Sequence, residues 1–316
     1  MEGPLGDRQL AFATRMKSML IDWPAPAKLN LFLHVLGRRE DGYHRLQTLF
    51  QFVDLHDRIR MYPREDGRIL RHGGLAGLNP EQDLTVRAAR ALQAHTQCPF
   101  GSDIEVEKYI PAGGGLGGGS SDAATVLLAL NQLWDLNLGR DELAALGLRL
   151  GADVPIFIHG QAAWAEGVGE RLTPIPDDIE LDQPWRLILH PGCSVSTAEV
   201  FSNPKLTRNT AAITIRAFLS GEPDVPRRND LEAVVRTISP EVGSALDWLA
   251  RQPGVDKVAM TGSGACVFGS FADCAAAQRV AGTVPARWRA FITRGRNRSP
   301  LHEMLDRAYP SAKGIS

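Results

Sequence analysis

The chain has 316 residues, enough for two domains with cores of their own, and its formal net charge of -1 gives no basic footprint for nucleic acid. At 44% hydrophobic and 22% charged it has the composition of a soluble protein, and no apolar run approaches the ~20 residues of a membrane span. Its four cysteines, Cys98, Cys193, Cys266 and Cys274, form no C-x-x-C pair, and no two histidines sit three or four apart. A structural zinc site and a disulfide framework are therefore not expected, and reduced thiols in the cytoplasm are.

Residues 1–20 lack the continuous apolar core of a signal peptide, because Arg8, Arg15 and Lys17 interrupt them. They are expected to form a disordered extension, with Met16 and Met19 as alternative starts. From Pro26 to Val35 the period is two: Leu29, Leu31, Leu33 and Val35 face one way, Lys28, Asn30, Phe32 and His34 the other. The second face is either ordinary solvated surface or a ligand-facing strip. The loop Gly37–Gly42 delivers Tyr43 and His44, singly more often packing or surface residues than ligand contacts, to a strand-like run ending at Phe52. Asp54–Met61 and Arg68–Leu70 read as further strands, Leu84–Ala94 as a helix, and Ile104–Ile110 as a half-buried strand.

Six glycines then fall within Gly113–Gly119, interrupted only by Leu116. Ala123, Ala124, Val126, Leu127, Leu130, Leu133 and Trp134 follow on a helix apolar around most of its circumference, hence buried. Ser120 or Ser121 is suited to its N-cap and Asp122 to its first turn. Strand, glycine loop and buried helix make a phosphate the natural guest, since glycines let the backbone approach a ligand and the helix start adds partial positive charge. A flexible connector is the bland alternative, but linkers seldom run straight into a buried helix. A Walker loop requires a lysine where this chain has Ser120 after Gly119. A dinucleotide fingerprint can be spelled from Gly113, Gly115 and Gly118. It needs a second strand ending in an acid about 20 residues on, whereas Asp135 and Asp141 flank helical text.

Asp141–Leu150 reads as a helix stopped by Gly151, which leaves Asp153 between that stop and Pro155, a position typical of a helix cap. Ala162–Glu166 and the turn Gly167–Glu170 read as a hairpin returning through Arg171 and Leu172. The proline- and acid-rich stretch Pro174–Ile179 is the best boundary, dividing residues 21–178 from 179–316. Beyond it Trp185–Leu189 reads as a strand, Asn229–Ile238 and Glu241–Arg251 as helices, and Val258–Phe268 as strand, glycine turn and strand. With a helix at Ala272–Val280 and a strand at Ala290–Thr293, this is an α+β arrangement with helices on one face of a sheet. Arg294, Arg296 and Arg298 read as a solvated end.

Three separated stretches, Pro26–Leu31, Pro111–Ser121 and Thr261–Phe268, together resemble the GHMP small-molecule kinases. Within that superfamily Gly42-Tyr43-His44, Gly113 through Ser121, Gly151-Ala152-Asp153-Val154-Pro155 and Ser299-Pro300-Leu301-His302 resemble the branch that phosphorylates a cytidine-diphosphate-linked methylerythritol for isoprenoid synthesis. The similarity runs from about Pro26 to about Leu305. It implies an α+β, two-domain GHMP-kinase architecture: an N-terminal ATP-binding domain like domain 2 of ribosomal protein S5, a C-terminal ferredoxin-like domain, and an active site in the cleft between them. ATP and magnesium are implied, with γ-phosphoryl transfer to the 2-hydroxyl of that small-molecule substrate. No nucleic-acid or membrane partner is implied, and the expected state is a monomer or weak homodimer.

By the same resemblance Lys28 and Asp153 are catalytic. Pro111, Ala112, Gly113, Gly114, Gly115, Leu116, Gly117, Gly118, Gly119, Ser120 and Ser121 wrap the ATP phosphates, and Lys108 lies near the adenine. Asn30, Tyr43 and His44 hold the cytidine and methylerythritol parts, with Phe201 stacking on cytosine opposite Tyr43. Metal ligands stay open, Ser120 and Ser121 being the hydroxyls that suggest themselves. One departure stands out: where the family has an asparagine near the nucleotide, this chain has Asp83, which lacks the amide donor. Phosphoryl transfer is mostly positioning and charge stabilisation, so Asp153 is expected to take the hydroxyl proton and Lys28 to orient it and offset charge. The competing readings are another GHMP kinase acting on mevalonate, homoserine or a sugar, a nicotinamide-dependent oxidoreductase, and a non-catalytic nucleotide-binding regulator.

Overall fold

The computed structural model describes residues 21–75 and 77–309, and the extension expected over 1–20 lies outside them. The chain begins with strands β1 (Trp23–Arg38), β2 (His44–Arg64) and β3 (Ile69–Gly73), helix α1 (Leu84–Thr96) and strand β4 (Gly101–Glu107). Helices α2 (Gly118–Leu133), α3 (Arg140–Leu148) and α4 (Val154–His159) follow, then strands β5 (Ala163–Gly167), β6 (Arg171–Pro174) and β7 (Trp185–His190). Helices α5 (Thr197–Ser202), α6 (Ile215–Leu219), α7 (Glu232–Ile238) and α8 (Pro240–Ala250) lead to β8 (Val255–Met260) and β9 (Val267–Phe271). Helix α9 (Cys274–Ala281), strand β10 (Arg289–Arg296) and helix α10 (Pro300–Ala308) complete it.

These elements gather into two compact units that are not consecutive in sequence. The first holds the described residues up to Ala25, Asp57–Tyr109 and Gly119–His159; the second holds Pro26–His56, Ile110–Gly118 and the described residues from Gly160 onward. The stretch 174–179 lies inside the second unit. The chain passes between units within β2, a single 21-residue strand where the sequence suggests two. Asp54 does not break it: it is a half-buried strand residue that accepts from Arg296 Nε at 2.6 Å.

In the first unit β3 runs parallel to β4, and β4 is antiparallel to the end of β2, Arg58 opposite Glu107 through Arg64 opposite Gly101. Helix α1 packs on β3 and β4, and α3 packs on α4. The α3–α4 approach needs Gly147, where a Cβ would lie 2.5 Å from Val154 Cγ1. Helix α2 is buried from Ser121 through Asn131, as its apolar circumference predicts.

In the second unit β10, β7, β9 and β8 form an antiparallel series, the first half of β2 pairs with β5 and β10, and β1 also pairs with β2. Alternation sorts the side chains. Leu187, Leu189, Val267 and Phe271 pack with Val242, Leu246, Leu249, Ala277 and Val280 of α8 and α9. Ile188 and Phe268 point the other way, into a core with Leu29, Leu31, Leu49, Val53, Ile110 and Leu116. Each fully buried side chain of this kind contributes about 1.5–3 kcal/mol. The arginines read as a solvated end are exposed (Arg294) or half-buried (Arg296 and Arg298), but they lie in ordered structure. Arg294 and Arg296 belong to β10, and Arg298 pairs with Asp306 of α10.

Candidate active site

All three stretches that carry the resemblance meet at the glycine loop in the second unit. Lys28 and Asn30, two residues apart on β1, share a face and are each 3% exposed. Lys28 Nζ donates to Asn30 Oδ1 at 2.6 Å and to the Gly115 carbonyl at 3.2 Å, and lies 5.1 Å from the Phe50 ring centre. Asn30 Nδ2 donates to Thr48 Oγ1 at 3.0 Å, and the Asn30 backbone N–H donates to Thr261 Oγ1 at 2.9 Å. The rest of the supposed polar face goes elsewhere. Phe32 packs on Trp164 and Phe218 at 5.0 and 4.5 Å, and His34 is fully buried. The solvated-surface reading of that face therefore fails.

The loop is held by its carbonyls. Ala265 N–H donates to Gly113 O at 3.2 Å, Cys266 N–H to Gly114 O at 3.1 Å, Lys28 Nζ to Gly115 O, and Lys28 N–H to Leu116 O at 3.0 Å. This approach is so close that a Cβ at Gly115 would lie 2.2 Å from Thr261 O, and Gly115 has φ of 73° besides. Leu116, the one interruption among the glycines, anchors the loop in the core at 1% exposure. Asn229 steadies the opposing turn by donating to Met260 O at 3.0 Å and Gly262 O at 2.8 Å. Thr48 and Asn229 carry no motif in the sequence; only their long-range partners show what they do.

Helix α2 begins at Gly118, so Ser120 and Ser121, in the first unit, are its third and fourth residues and neither is an N-cap. Ser121 is fully buried and its hydroxyl has no partner among the described residues. Strand β4 ends at Glu107, and Lys108, read as part of that strand, turns its ammonium to Asp122 Oδ2 at 2.6 Å and to the Asp57 carboxylate. Asp122 is thus a partner of Lys108, five residues into the helix. Burial pushes the Asp122 carboxyl up, Lys108 opposes this and the Asp57 charge adds to it. Asp153 is half-buried and immediately precedes α4, in a turn closed by Val154 N–H to Gly151 O at 3.1 Å. Asp83 is the N-cap of α1, accepting from Thr85 N–H at 2.8 Å, and pairs with Arg71 at 2.7 Å. Burial works against its ionised form, but the Thr85 and Arg71 hydrogen bonds outweigh it and hold the carboxyl below the usual range.

The residues expected on the substrate side lie in the second unit. Tyr43 is 66% exposed, whereas the neighbouring His44 is buried and stacks on Phe201 of α5, centroids 5.0 Å apart at 29°. Arg208 links the pair, donating through Nε to His44 Nε2 at 3.0 Å and through Nη2 to the Phe201 carbonyl at 2.8 Å. Burial, then Arg208 and Arg38, lower the His44 pKa, which leaves a neutral ring whose Nδ1 carries the proton. Arg208 sits in no recognisable motif.

The dinucleotide alternative loses its second strand: α2 leads into a turn with Asp135 at φ 55° and then into α3, which holds Asp141. Among the described residues no helix is long and apolar enough to cross a membrane. The family models for the GHMP kinases N terminal domain and the GHMP kinases C terminal match residues 83–161 and 214–290. The 4-diphosphocytidyl-2-C-methyl-D-erythritol kinase of Halorhodospira halophila is 54% identical over 286 residues, covering 90% of this chain and 96% of its own. That of Pseudomonas aeruginosa is 50% identical over 289 residues, 92% and 99% of the two chains. A crystal structure of 4-(cytidine 5'-diphospho)-2C-methyl-D-erythritol kinase superposes with a TM-score of 0.75 at 36% identity, over 87% of this chain and 99% of that one. Methanococcus jannaschii mevalonate kinase shares the fold at 16% identity and a TM-score of 0.65, over 88% and 99%. The chain therefore belongs to the 4-diphosphocytidyl-2-C-methyl-D-erythritol kinase family of the GHMP kinases, which are ATP-dependent phosphotransferases.

Proposed function

We propose that this chain moves the γ-phosphoryl group of ATP to the 2-hydroxyl of 4-diphosphocytidyl-2-C-methyl-D-erythritol, the compound in its relatives' names. The observation that supports the phosphate assignment is the tethering of four successive loop carbonyls, Gly113 to Leu116, to protein donors. With the carbonyls turned back into the protein, the loop has its N–H groups to offer a ligand. The start of α2 adds its partial positive charge for the phosphates.

Lys28 is assigned to the transferring phosphoryl group, where a fixed ammonium stabilises charge as it develops. Asn30 and the Gly115 carbonyl aim it. Asp153 is assigned to the acceptor hydroxyl, taking its proton and directing the oxygen along the line of attack. Bound together with ATP, magnesium would neutralise part of the phosphate charge. Ser120, half-buried near the start of α2, would be the hydroxyl available to hold it, whereas Ser121 is enclosed. Tyr43, His44 and Phe201 are assigned to the cytidine. The neutral His44 offers one Nδ1–H donor, and Arg208 fixes its tautomer. Asp83 is already committed to Thr85 and Arg71, so it is assigned to the fold and not to the nucleotide.

Phosphorus NMR of the chain with ATP and magnesium tests the reading, with the cytidine-diphosphate methylerythritol, mevalonate and homoserine offered in parallel. A new phosphomonoester on the first compound alone is expected. Transfer to another acceptor would discard the cytidine assignments and keep the phosphate loop.

A further inference from the structure

The chain segments flanking the glycine loop are fastened to one buried ammonium. Lys108, one residue beyond β4, donates to Asp122 Oδ2 at 2.6 Å across 14 residues of sequence, and to the Asp57 carboxylate. The next residue, Tyr109, donates its backbone N–H to Asp57 Oδ1 at 2.6 Å. Asp57 on β2 is fully buried, Asp122 on α2 is 5% exposed, and the Lys108 side chain is 15% exposed. Asp122 Oδ1 is buried with no hydrogen-bond partner among the described residues. Two carboxyl groups on one ammonium are an expensive thing to bury, and well-packed apolar side chains of similar volume would serve a core at least as well. What apolar side chains do not supply is direction: three hydrogen-bonding groups from β2, the β4 exit and α2 meet in one arrangement only.

A segment with six glycines among seven residues loses an unusually large amount of conformational freedom on ordering. If its ends are loose, ATP must order the loop on binding, and affinity falls accordingly. We propose that Asp57, Lys108 and Asp122 form a clamp that fixes both ends of the glycine loop before ATP arrives, making Asp57 and Asp122 positioning residues for the nucleotide. This rests on the reading of the loop as the ATP phosphate site. The clamp acts on binding of the nucleotide and leaves the cytidine side alone.

Asp122→Asn and Asp57→Asn keep side-chain volume and leave Lys108 one carboxylate partner each. In the full-length chain both are expected to raise KM for ATP on the order of tenfold, with KM for the cytidine substrate within about twofold. Calorimetric titration with a non-hydrolysable ATP analogue and magnesium should weaken in parallel. That titration reads the clamp even if the acceptor proves to be another alcohol, so failure of the substrate assignment stays distinguishable from failure of the clamp. A lowered melting temperature with unchanged nucleotide affinity would overturn the proposal, as would equal effects on both substrates. Asp122→Asn retains the Lys108–Asp57 pair and the Tyr109 hydrogen bond, so it decides the matter should Asp57→Asn not fold.

Discussion

Lys28 and Asn30 are joined by a 2.6 Å hydrogen bond along one face of a single strand, and the amide oxygen is the acceptor. Because Asn30 is itself held by Thr48 and Thr261, the ammonium inherits a fixed position. Asn30, expected on the substrate side by resemblance, is thereby given a second task. Asn30→Ala should lower kcat by roughly 10–100-fold, the effect of a misplaced catalytic group. KM for the cytidine compound should move little if Asn30 acts through Lys28, and should rise with kcat unchanged if it holds substrate. Steady-state kinetics in both substrates separates the two.

Asp153→Asn should lower kcat by roughly 10²–10⁴-fold, the range for loss of a general base, with both KM values nearly constant. An asparagine caps a helix about as well as an aspartate, so the melting temperature should hold. Near-full kcat in this variant would leave Asp153 a helix cap and no more.

Tyr43 projects at 66% exposure beside a His44 that Phe201 and Arg208 already hold. Tyr43→Ala should raise KM for the cytidine substrate about tenfold and KM for ATP less than twofold, since a stacked ring contributes about 1–3 kcal/mol per base. Equal shifts would remove Tyr43 from the substrate side.

Gly115 and Gly119 look alike in sequence and should not behave alike. Gly115→Ala forces a Cβ to 2.2 Å from Thr261 O at positive φ, whereas at Gly119 the nearest atom is Leu84 Cδ1 at 3.4 Å, without positive φ. Gly115→Ala should cost at least 2 kcal/mol, roughly the sum of overpacking and backbone strain, and abolish ATP turnover. Gly119→Ala, in a helix, should change stability by about 1 kcal/mol or less. Thermal melts and ATP kinetics on the two variants check this.

The Asp83–Arg71 pair gives stability a definite pH dependence. The Asp83 carboxyl is held below its unfolded value, so its contribution is present above about pH 4 and is lost as the pH falls through the lower, folded-state value. Asp83→Asn keeps a capping side chain but removes the charge facing Arg71. It should cost about 2–4 kcal/mol at pH 7, and the gap from the unsubstituted protein should close on acidification. Urea melts between pH 3 and 7 measure it; a constant gap would place the loss outside the ion pair.

Much of the site was legible because its signals are local. Period two put Lys28 and Asn30 on one face of β1, the glycine run announced a backbone that must approach something closely, and the apolar circumference of α2 announced burial. The hairpin β5–β6 came with its turn residues. Element ends were less legible. The break read at Val53 disappears because β10 pairs there, Gly295 opposite Val53, and Arg296 satisfies Asp54. Ser120 and Ser121 lost the capping role because the helix starts earlier, at Gly118.

The sequence by itself determined which residue types are available to the chemistry and which way they alternate, since propensity, periodicity and glycine's freedom act over a few residues. Only the tertiary structure decided the partners. That Thr261 receives the Asn30 amide, that Arg208 fixes the His44 tautomer and that Lys108 faces Asp57 and Asp122 all depend on contacts between residues 14 to 231 positions apart. Such contacts leave no periodic trace, because what selects them is the cost of burying a polar or charged group without its complement.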